Sequence, residues 1–468
     1  MFYYRHRVGT GGDCAGTMTG WGRLRSLSFI HCADIHLGAP VRGSAKMPSG
    51  LRERLRDAPA EAFAKIVSAA IHREVDAVIV AGDLFDAADC NLRAHVRLRT
   101  ELARLEEAAI ACFVACGNHD PLGGLSGGVR LPDTVHVFGS KVESHAIVRD
   151  DVEIARVYGV SYEKKAERRN LAREFPRRPD GPFNIAVLHA NVGDREPHGR
   201  YAPCKLRDLT ESQFDYWALG HVHTRETLNS QSPVVHYPGN PQALHTREPG
   251  ARGATLVQVS DDGAVDLEPL WTDVVRWHRQ RTAIDDMTTI DDLTADFEKI
   301  VGDIRLAAPN RINIVRWTLF GSGPLHALLN RPGAEPDLRA ALRDQHGLRE
   351  EGNPVWLERI DLSTRPTRDV DRLRQQPDYL GDMLTLAGGL AGWRPRSPHA
   401  EVGEARRAVE DPLAAAAVRE SLSTLLDESR LVRALGDENV WDLLRFEELL
   451  HRAEAQAVEC LAPAEVDA

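Results

Sequence analysis

No two cysteines in this chain stand as CxxC, and no apolar run approaches the ~18 residues needed to span a bilayer. The first absence removes zinc ribbons and dithiol redox motifs, and the second removes a helical membrane span. The seven cysteines, an odd number, lie scattered at Cys14, Cys32, Cys90, Cys112, Cys116, Cys204 and Cys460. That distribution reads as buried or idle thiols in a reducing cytoplasm. Positive charge is also in deficit. A net charge of -11 argues against wholesale wrapping of nucleic acid, which depends on Lys and Arg, while leaving room for a local basic groove. Residues 1–25 lack the charged start, apolar middle and small-residue cleavage site of a secretory signal. They read as a Gly/Thr-rich disordered tail, with Met18 as an alternative start.

At 468 residues the chain exceeds one compact core and should divide into two to four domains; its 43% hydrophobic and 27% charged residues are those of a globular protein. From Ser28 to about Val259, short apolar runs alternate with helical segments. Ser28–Ala33, Val75–Ala81, Ile110–Cys116, Ile185–Leu188 and Tyr216–Leu219 read as strands. Phe63, Ile66, Val67 and Ala70 mark one helix, and Leu98, Leu102, Leu105 and Ala109 a second. This is an α/β pattern whose polar groups follow the carboxyl ends of strands, where open α/β sheets place their ligands. The boundaries expected are a domain over 26–271, a small α+β accessory domain over 272–365, a helix and linker over 366–410, and C-terminal helices over 411–468. Within the accessory region the pattern shows a helix at Ile290–Ile304, a strand at Ile312–Phe320, a polar helical stretch and a strand at Val355–Ser363. Asp411-Pro412 is a good helix start, since the carboxylate caps and Pro suits the first helical position.

The chemistry lies at the strand ends. In order they give Asp34-Ile35-His36, Gly82-Asp83-Leu84-Phe85-Asp86, Gly117-Asn118-His119-Asp120, His189 and Gly220-His221-Val222-His223. A pair of hard-to-borderline divalent metals calls for carboxylate, imidazole and amide oxygen without thiolate, and this set supplies them. One carboxylate must bridge the two ions at roughly 3.5–4 Å for in-line phosphoryl chemistry. Asp83, at the tightest strand-to-turn junction, is the bridging candidate. Each motif alone says little: Asp-x-His is commonly a capping pair, and a buried His such as His189 is commonly a satisfied core residue. Their joint occurrence after predicted strands, in one order, is what points to a metal site.

Across about Ser28 to Val259 the series resembles the calcineurin-like metallophosphoesterases. The resemblance implies a four-layer α/β/β/α sandwich with a capping domain and C-terminal helices, hydrolysing phosphoesters with two divalent metal ions, manganese being the usual one. It further implies that Asp34, His36, Asp83 and His223 hold one ion and Asp83, Asn118, His189 and His221 the other. His119 then stands outside the metals as general acid, oriented by Asp120 or a nearby carbonyl. His-Leu-Gly at 36–38, Gly-Asp-Leu-Phe-Asp at 82–86 and Gly-Asn-His-Asp-Pro at 117–121 look like the nuclease branch, which includes the SbcD subunit and the break-repair nucleases. Tyr237-Pro238-Gly239-Asn240-Pro241-Gln242, followed by His245, Arg247-Glu248, Gly250 and Gly253, is similar to YhaO-type DNA repair exonucleases. The family pattern there reads PGN-x-QGRH, and Ala243-Leu244 departs from it by removing one potential phosphate-binding arginine.

What this resemblance implies for partners is DNA as substrate, a coiled-coil SMC-like ATPase docked on C-terminal helices (Leu425, Leu426, Trp441 and Leu444 here), homodimerisation through phosphoesterase helices, and no membrane. Further candidates for DNA contact are the basic run Lys164, Lys165, Arg168, Arg169, Arg173, Arg177 and Arg178, and base stacking on Trp271, Trp277, Trp317 or Trp356. The plainer readings are a solvated charged face and core packing. A manganese-dependent DNA exonuclease is therefore expected. The acidic charge and Ala243-Leu244 leave a small-substrate phosphodiesterase or phosphatase as the alternative, and a non-catalytic scaffold comes third.

Overall fold

The computed structural model describes residues 26–39, 47–86, 92–122, 130–177, 179, 181–193, 201–347, 353–366, 374–375 and 377. The chain divides into two units, Met1–Arg365 and Pro366–Ala468. The tail over 1–25, most of the 366–410 linker and the helices expected over 411–468, including Leu425, Leu426, Trp441 and Leu444, lie outside the described residues.

In the first unit the chain runs β1 (Leu27–Cys32), α1 (Ser49–His72), β2 (Ala77–Ala81), α2 (Leu92–Glu107), β3 (Ala111–Ala115) and β4 (Val135–Val137). Next come β5 (Glu143–Arg149), β6 (Val152–Gly159), β7 (Asn184–His189), α3 (Leu206–Thr210), β8 (Tyr216–Gly220), β9 (Glu226–Asn229) and β10 (Val234–Tyr237). Then β11 (Gly253–Val259) and β12 (Val265–Trp271) complete two six-stranded sheets, ordered β12-β11-β1-β2-β3-β4 and β5-β6-β7-β8-β10-β9. Strands β1 to β4 pair in parallel, as do β6, β7, β8 and β10, with antiparallel strands at the sheet edges.

The period-two alternation of side chains explains the layers. In β2, Ala77, Ile79 and Ala81 face a core shared with Val157, Ile185, Val187 and Ala218 of the other sheet, while Val78 and Val80 face α1 and α2. Because both faces are covered, the central strands read as continuous apolar runs rather than alternating ones. The outer face of the second sheet is covered by a thinner layer: a 3-10 turn at Leu171–Glu174, the short α3 and the loops around them, packed on Trp217, Phe175 and Phe214.

The accessory region continues the chain with β13 (Val275–Ala283), α4 (Ile290–Ala307), β14 (Ile312–Ser322), α5 (Leu325–Leu329), α6 (Ala334–His346) and β15 (Val355–Arg365). Its three strands form one parallel sheet, ordered β13-β14-β15. Thr289 and Asp292 cap α4 reciprocally. Strand β13 is absent from the sequence reading because its buried apolar residues, Val275 and Trp277, fall in its first third, and Arg276, Arg279 and Arg281 break its apolar pattern. Val275, Trp277, Ile312 and Ile314 pack on Leu51, Leu55 and Ala58 of α1 and on Ala243. Each buried Val, Leu or Ile there contributes ~1.5–3 kcal/mol.

Burial settles part of the base-stacking expectation. Trp277 and Trp317 are core residues, exposed by 1% and 0%, and Trp356 is half-buried beneath Arg343; Trp271 is 46% exposed. Within the basic run Lys164, Lys165, Arg168, Arg169, Arg173 and Arg177 are exposed, Arg169 pairing with Glu167 and Glu174 and Arg173 with Asp208, while Arg178 lies outside the described residues.

Candidate metal centre

Strands β1, β2 and β3 of one sheet and β7 and β8 of the other carry their carboxyl ends to one edge of the sandwich. The loops leaving β1 and β2 run side by side, joined by Asp34 N to Gly82 O (3.0 Å), His36 N to Asp83 O (3.0 Å) and Leu37 N to Leu84 O (2.9 Å). Left-handed backbone is concentrated there: Asp34 (φ 53), His36 (φ 51), Asp83 (φ 52) and His221 (φ 97). Such conformations cost about 1–2 kcal/mol for a residue with a Cβ, and strain of this kind gathers at functional sites.

The glycines ahead of Asp83, Asn118 and His221 answer to close approach. A Cβ at Gly82 (φ 95) would fall 2.2 Å from His189 Nδ1, and one at Gly117 would fall 2.3 Å from Asp83 Oδ1. A Cβ at Gly220 would meet Ala81 O at 1.8 Å. The three strand ends thus close around the His189 ring, whose Nδ1 also lies 2.9 Å from Ala81 O.

All seven candidate ligands converge. His189 Nε2 lies 3.3 Å from Asp83 Oδ2 and 3.0 Å from Asn118 Oδ1, and His221 Nδ1 lies 3.2 Å from the same Asn118 oxygen. On the other side His36 Nε2 is 3.2 Å from His223 Nε2 and 3.9 Å from Asp83 Oδ2, while His223 Nε2 is 3.9 Å from Asp34 Oδ1. Asp34, His36 and His223 form one group of potential ligands within 4.8 Å of one another, and Asp34, Asp83 and His189 form a second. A third joins His36, Asp83 and His119.

These residues fit a pair of divalent cations, because the converging donors are carboxylate, imidazole and amide oxygen without thiolate. Charge argues the same way. Burial pushes Asp34 up to about 6 and Asp120 up to about 7, so the pocket resists carrying several bare carboxylates. Burial also drops His36 to about 3, leaving a neutral imidazole able to ligate. Burial opposes charge at His189, but Asp83, by its charge and hydrogen bond, lifts that ring to about 9; the same pair holds Asp83 below the carboxylate range despite burial.

His119 sits at the rim, 36% exposed at its side chain, with its ring edge-on to His36 at 4.8 Å and its backbone N–H on Asp83 Oδ1. The orienting residue expected for it is corrected. Asp120 points away and accepts from the backbone N–H groups of Gly117 (2.8 Å), Leu84 (2.7 Å) and Phe85 (3.2 Å). Asp120 is therefore a brace for the β2 loop. The carboxylate beside His119 is Asp86, 3.4 Å from Nδ1, and its hydrogen bond raises the imidazole above its ordinary value. Glu248 is a further functional residue without an assigned role in the sequence reading: its carboxylate lies 2.6 Å from His223 Nδ1. Burial raises Glu248, but the His223 bond and charge outweigh it and hold the carboxyl at about 2. Both residues stand inside quoted motifs, yet spacing alone carries no information on which ring they face.

Comparison with known proteins agrees with this geometry. The family profile for calcineurin-like phosphoesterases matches residues 27–225, and that for the middle domain of metallophosphoesterase YhaO matches residues 277–365. The chain is 35% identical over 352 residues to the uncharacterized metallophosphoesterase YhaO of Bacillus subtilis (strain 168), covering 75% of this chain and 85% of that one. It is 28% identical over 260 residues to the DNA double-strand break repair protein Mre11 of Sulfurisphaera tokodaii, covering 51% of this chain and 61% of that one. To the Mre11 of Halobacterium salinarum it is 25% identical over 402 residues, covering 75% and 90%. With its fold, its converging oxygen and nitrogen donors and these relatives, the chain belongs to the calcineurin-like metallophosphoesterase family.

Proposed function

We propose that this chain is a metal-dependent DNA exonuclease of break repair that works with an SMC-like, coiled-coil ATPase. The observation that carries the chemistry is the convergence of seven oxygen and nitrogen donors at one edge of the sandwich, with the acid candidate His119 on its rim. Asp34, His36, Asp83 and His223 would hold one cation and Asp83, Asn118, His189 and His221 the other, and we take manganese as the metal. Bound there, the cations supply positive charge to the phosphoryl oxygens and make a water acidic enough to attack near neutral pH.

The chain's own residues do the rest. Asp86 keeps a proton on His119 by favouring the imidazolium, and with Nδ1 turned to Asp86 the ring has Nε2 to donate to the departing 3′ oxygen. Asp120 holds the loop that carries Asp83 and Asp86. Support for a nucleic-acid substrate comes from the Mre11 relatives and from the accessory sheet, where Arg279, Arg316 (paired with Glu358) and Arg359 (paired with Asp361) stand in register across three strands. Arg281 lies over Phe320 at 4.6 Å two residues further along β13. A homodimer through the phosphoesterase helices is part of the proposal; Leu92 and Val96, one turn apart on α2, are 72% and 54% exposed.

The test is hydrolysis of end-labelled linear duplex DNA with manganese, beside bis-para-nitrophenyl phosphate and the His119→Asn variant. Mononucleotide release that vanishes in the variant is the expected result. A second reading, a small-substrate phosphodiesterase, is favoured by Leu244, which replaces the family's arginine in the loop over β13. Cleavage of the small diester with DNA untouched, in the presence and absence of an ATPase partner, would select it.

A further inference from the structure

The stretch from Tyr237 to Gly253 carries a buried polar strut that links one metal-centre histidine to the accessory domain. Its members Asn240, Gln242, Glu248 and Arg252 are exposed by only 0%, 1%, 6% and 9%. Glu248 Oε1 lies 2.6 Å from His223 Nδ1, with His245 Nε2 at 3.5 Å. Its other oxygen, Oε2, accepts from Leu244 N (2.7 Å) and Asn240 Nδ2 (3.1 Å). Arg252 donates to His223 O and to Asn240 Oδ1, and its own carbonyl accepts from Thr272 N and Asp273 N. Asn240 Nδ2 also donates to Gln242 O. Gln242 then closes the path, bonding Val275 O through Nε2 (2.7 Å) and accepting from Val274 N (2.8 Å) through Oε1.

We propose that Glu248 is a positioning residue that fixes the tautomer of His223, and that the strut through Asn240, Arg252 and Gln242 ties this setting to the first strand of the accessory domain. The inference deepens, and rests on, the reading of His223 as a ligand. A carboxylate can only accept, so the proton of a neutral His223 sits on Nδ1 and the lone pair on Nε2. Nε2 is the atom that faces His36 and Asp34. A carboxylate bonded to the far nitrogen of a ligating histidine orients it in this way, and its loss weakens metal binding about 10- to 100-fold. Because the bonds to Val274 and Val275 begin β13, the accessory domain and the ligand ring share one rigid support.

Glu248→Gln tests this sharply. The two N–H donors at Oε2 hold the amide oxygen there, which turns the amide NH2 toward His223 Nδ1. Two donors cannot face each other, so the ring must carry its proton on Nε2, where it opposes a cation. Manganese is titrated calorimetrically into the metal-stripped full chain. Wild type should bind two ions; in Glu248→Gln one site should weaken by about 10- to 100-fold while the other keeps its affinity and the metal-free melting temperature stays near wild type. Two wild-type affinities in the variant overturn the proposal alone, whereas a wild type that binds no manganese overturns the ligand reading and the proposal with it. Should Glu248→Gln lack a cooperative melt, Glu248→Asp decides. Its carboxylate falls one methylene short of Nδ1, so weaker binding at one site supports the proposal and unchanged binding at both sites overturns it.

Discussion

Replacing Gly82 with alanine probes how tightly the centre is built around His189. The added methyl would lie 2.2 Å from His189 Nδ1, against about 3.4 Å for ordinary contact, so the ring must retreat by roughly 1 Å. It cannot do so freely, since it is held at Ala81 O (2.9 Å), Asn118 Oδ1 (3.0 Å) and Asp83 Oδ2 (3.3 Å). The backbone adds its own cost, because φ is 95 and the left-handed region costs about 1–2 kcal/mol once a Cβ is present. Overpacking adds about 1–3 kcal/mol, giving ~2–5 kcal/mol in all. At ~2.1 cal/mol/K of unfolding entropy per residue, the Met1–Arg365 unit shifts by about 1.3 °C per kcal/mol, so the melting temperature should fall by about 3–7 °C. Gly333→Ala separates the two contributions: φ there is 89, but the new Cβ would lie an unstrained 3.9 Å from Asp337 Oδ2. That control should lose only the backbone part, ~1–2 kcal/mol, and keep its manganese. Calorimetric melting and bound-metal analysis read both. A Gly82→Ala protein as stable and as metal-replete as Gly333→Ala would refute the wedged-ring account.

Three further outcomes follow from the same geometry. Asp83→Asn should bring bound manganese down at both sites, because Asp83 lies between the His36 and His189 groups; loss of one equivalent only, by elemental analysis, would deny it a shared role. With His119 as the proposed acid, turnover should fall as pH rises through its raised pKa. Asp86→Asn removes the cause of that rise and should move the basic limb of the kcat profile to lower pH, and an unmoved limb would contradict the assignment. Changing Arg279, Arg316 and Arg359 together to Gln should reduce the salt slope of duplex DNA binding by at most ~2.7, from about 0.9 per phosphate contact, while hydrolysis of the small diester is unaffected. An identical slope would remove the accessory sheet from the DNA path.

The layers and the cluster of donors were legible because they follow from local patterning. Parallel strands covered on both faces appear as unbroken apolar runs, and the runs here end on Asp-x-His, Gly-Asp, Gly-Asn-His, His or Gly-His. The roles of carboxylates a few residues apart were not legible. Whether Asp86 or Asp120 faces His119 depends on where the β2 loop presents the N–H groups of Leu84 and Phe85, and these claim Asp120. Glu248 reaches His223 from 25 positions away in sequence, over a loop whose course is set by contacts with β13. Strand β13 itself was hidden by its arginines, because its buried apolar residues lie only at the end that meets α1.

The most direct test of the central claim is phosphodiester hydrolysis by metal-stripped protein as manganese is restored stepwise, using bis-para-nitrophenyl phosphate and wild type beside His119→Asn. Activity should be absent from the stripped protein and should appear as the second equivalent binds. His119→Asn should bind both equivalents normally yet turn over poorly. Activity indifferent to metal, or a His119→Asn variant that loses its metal along with its rate, would contradict the account.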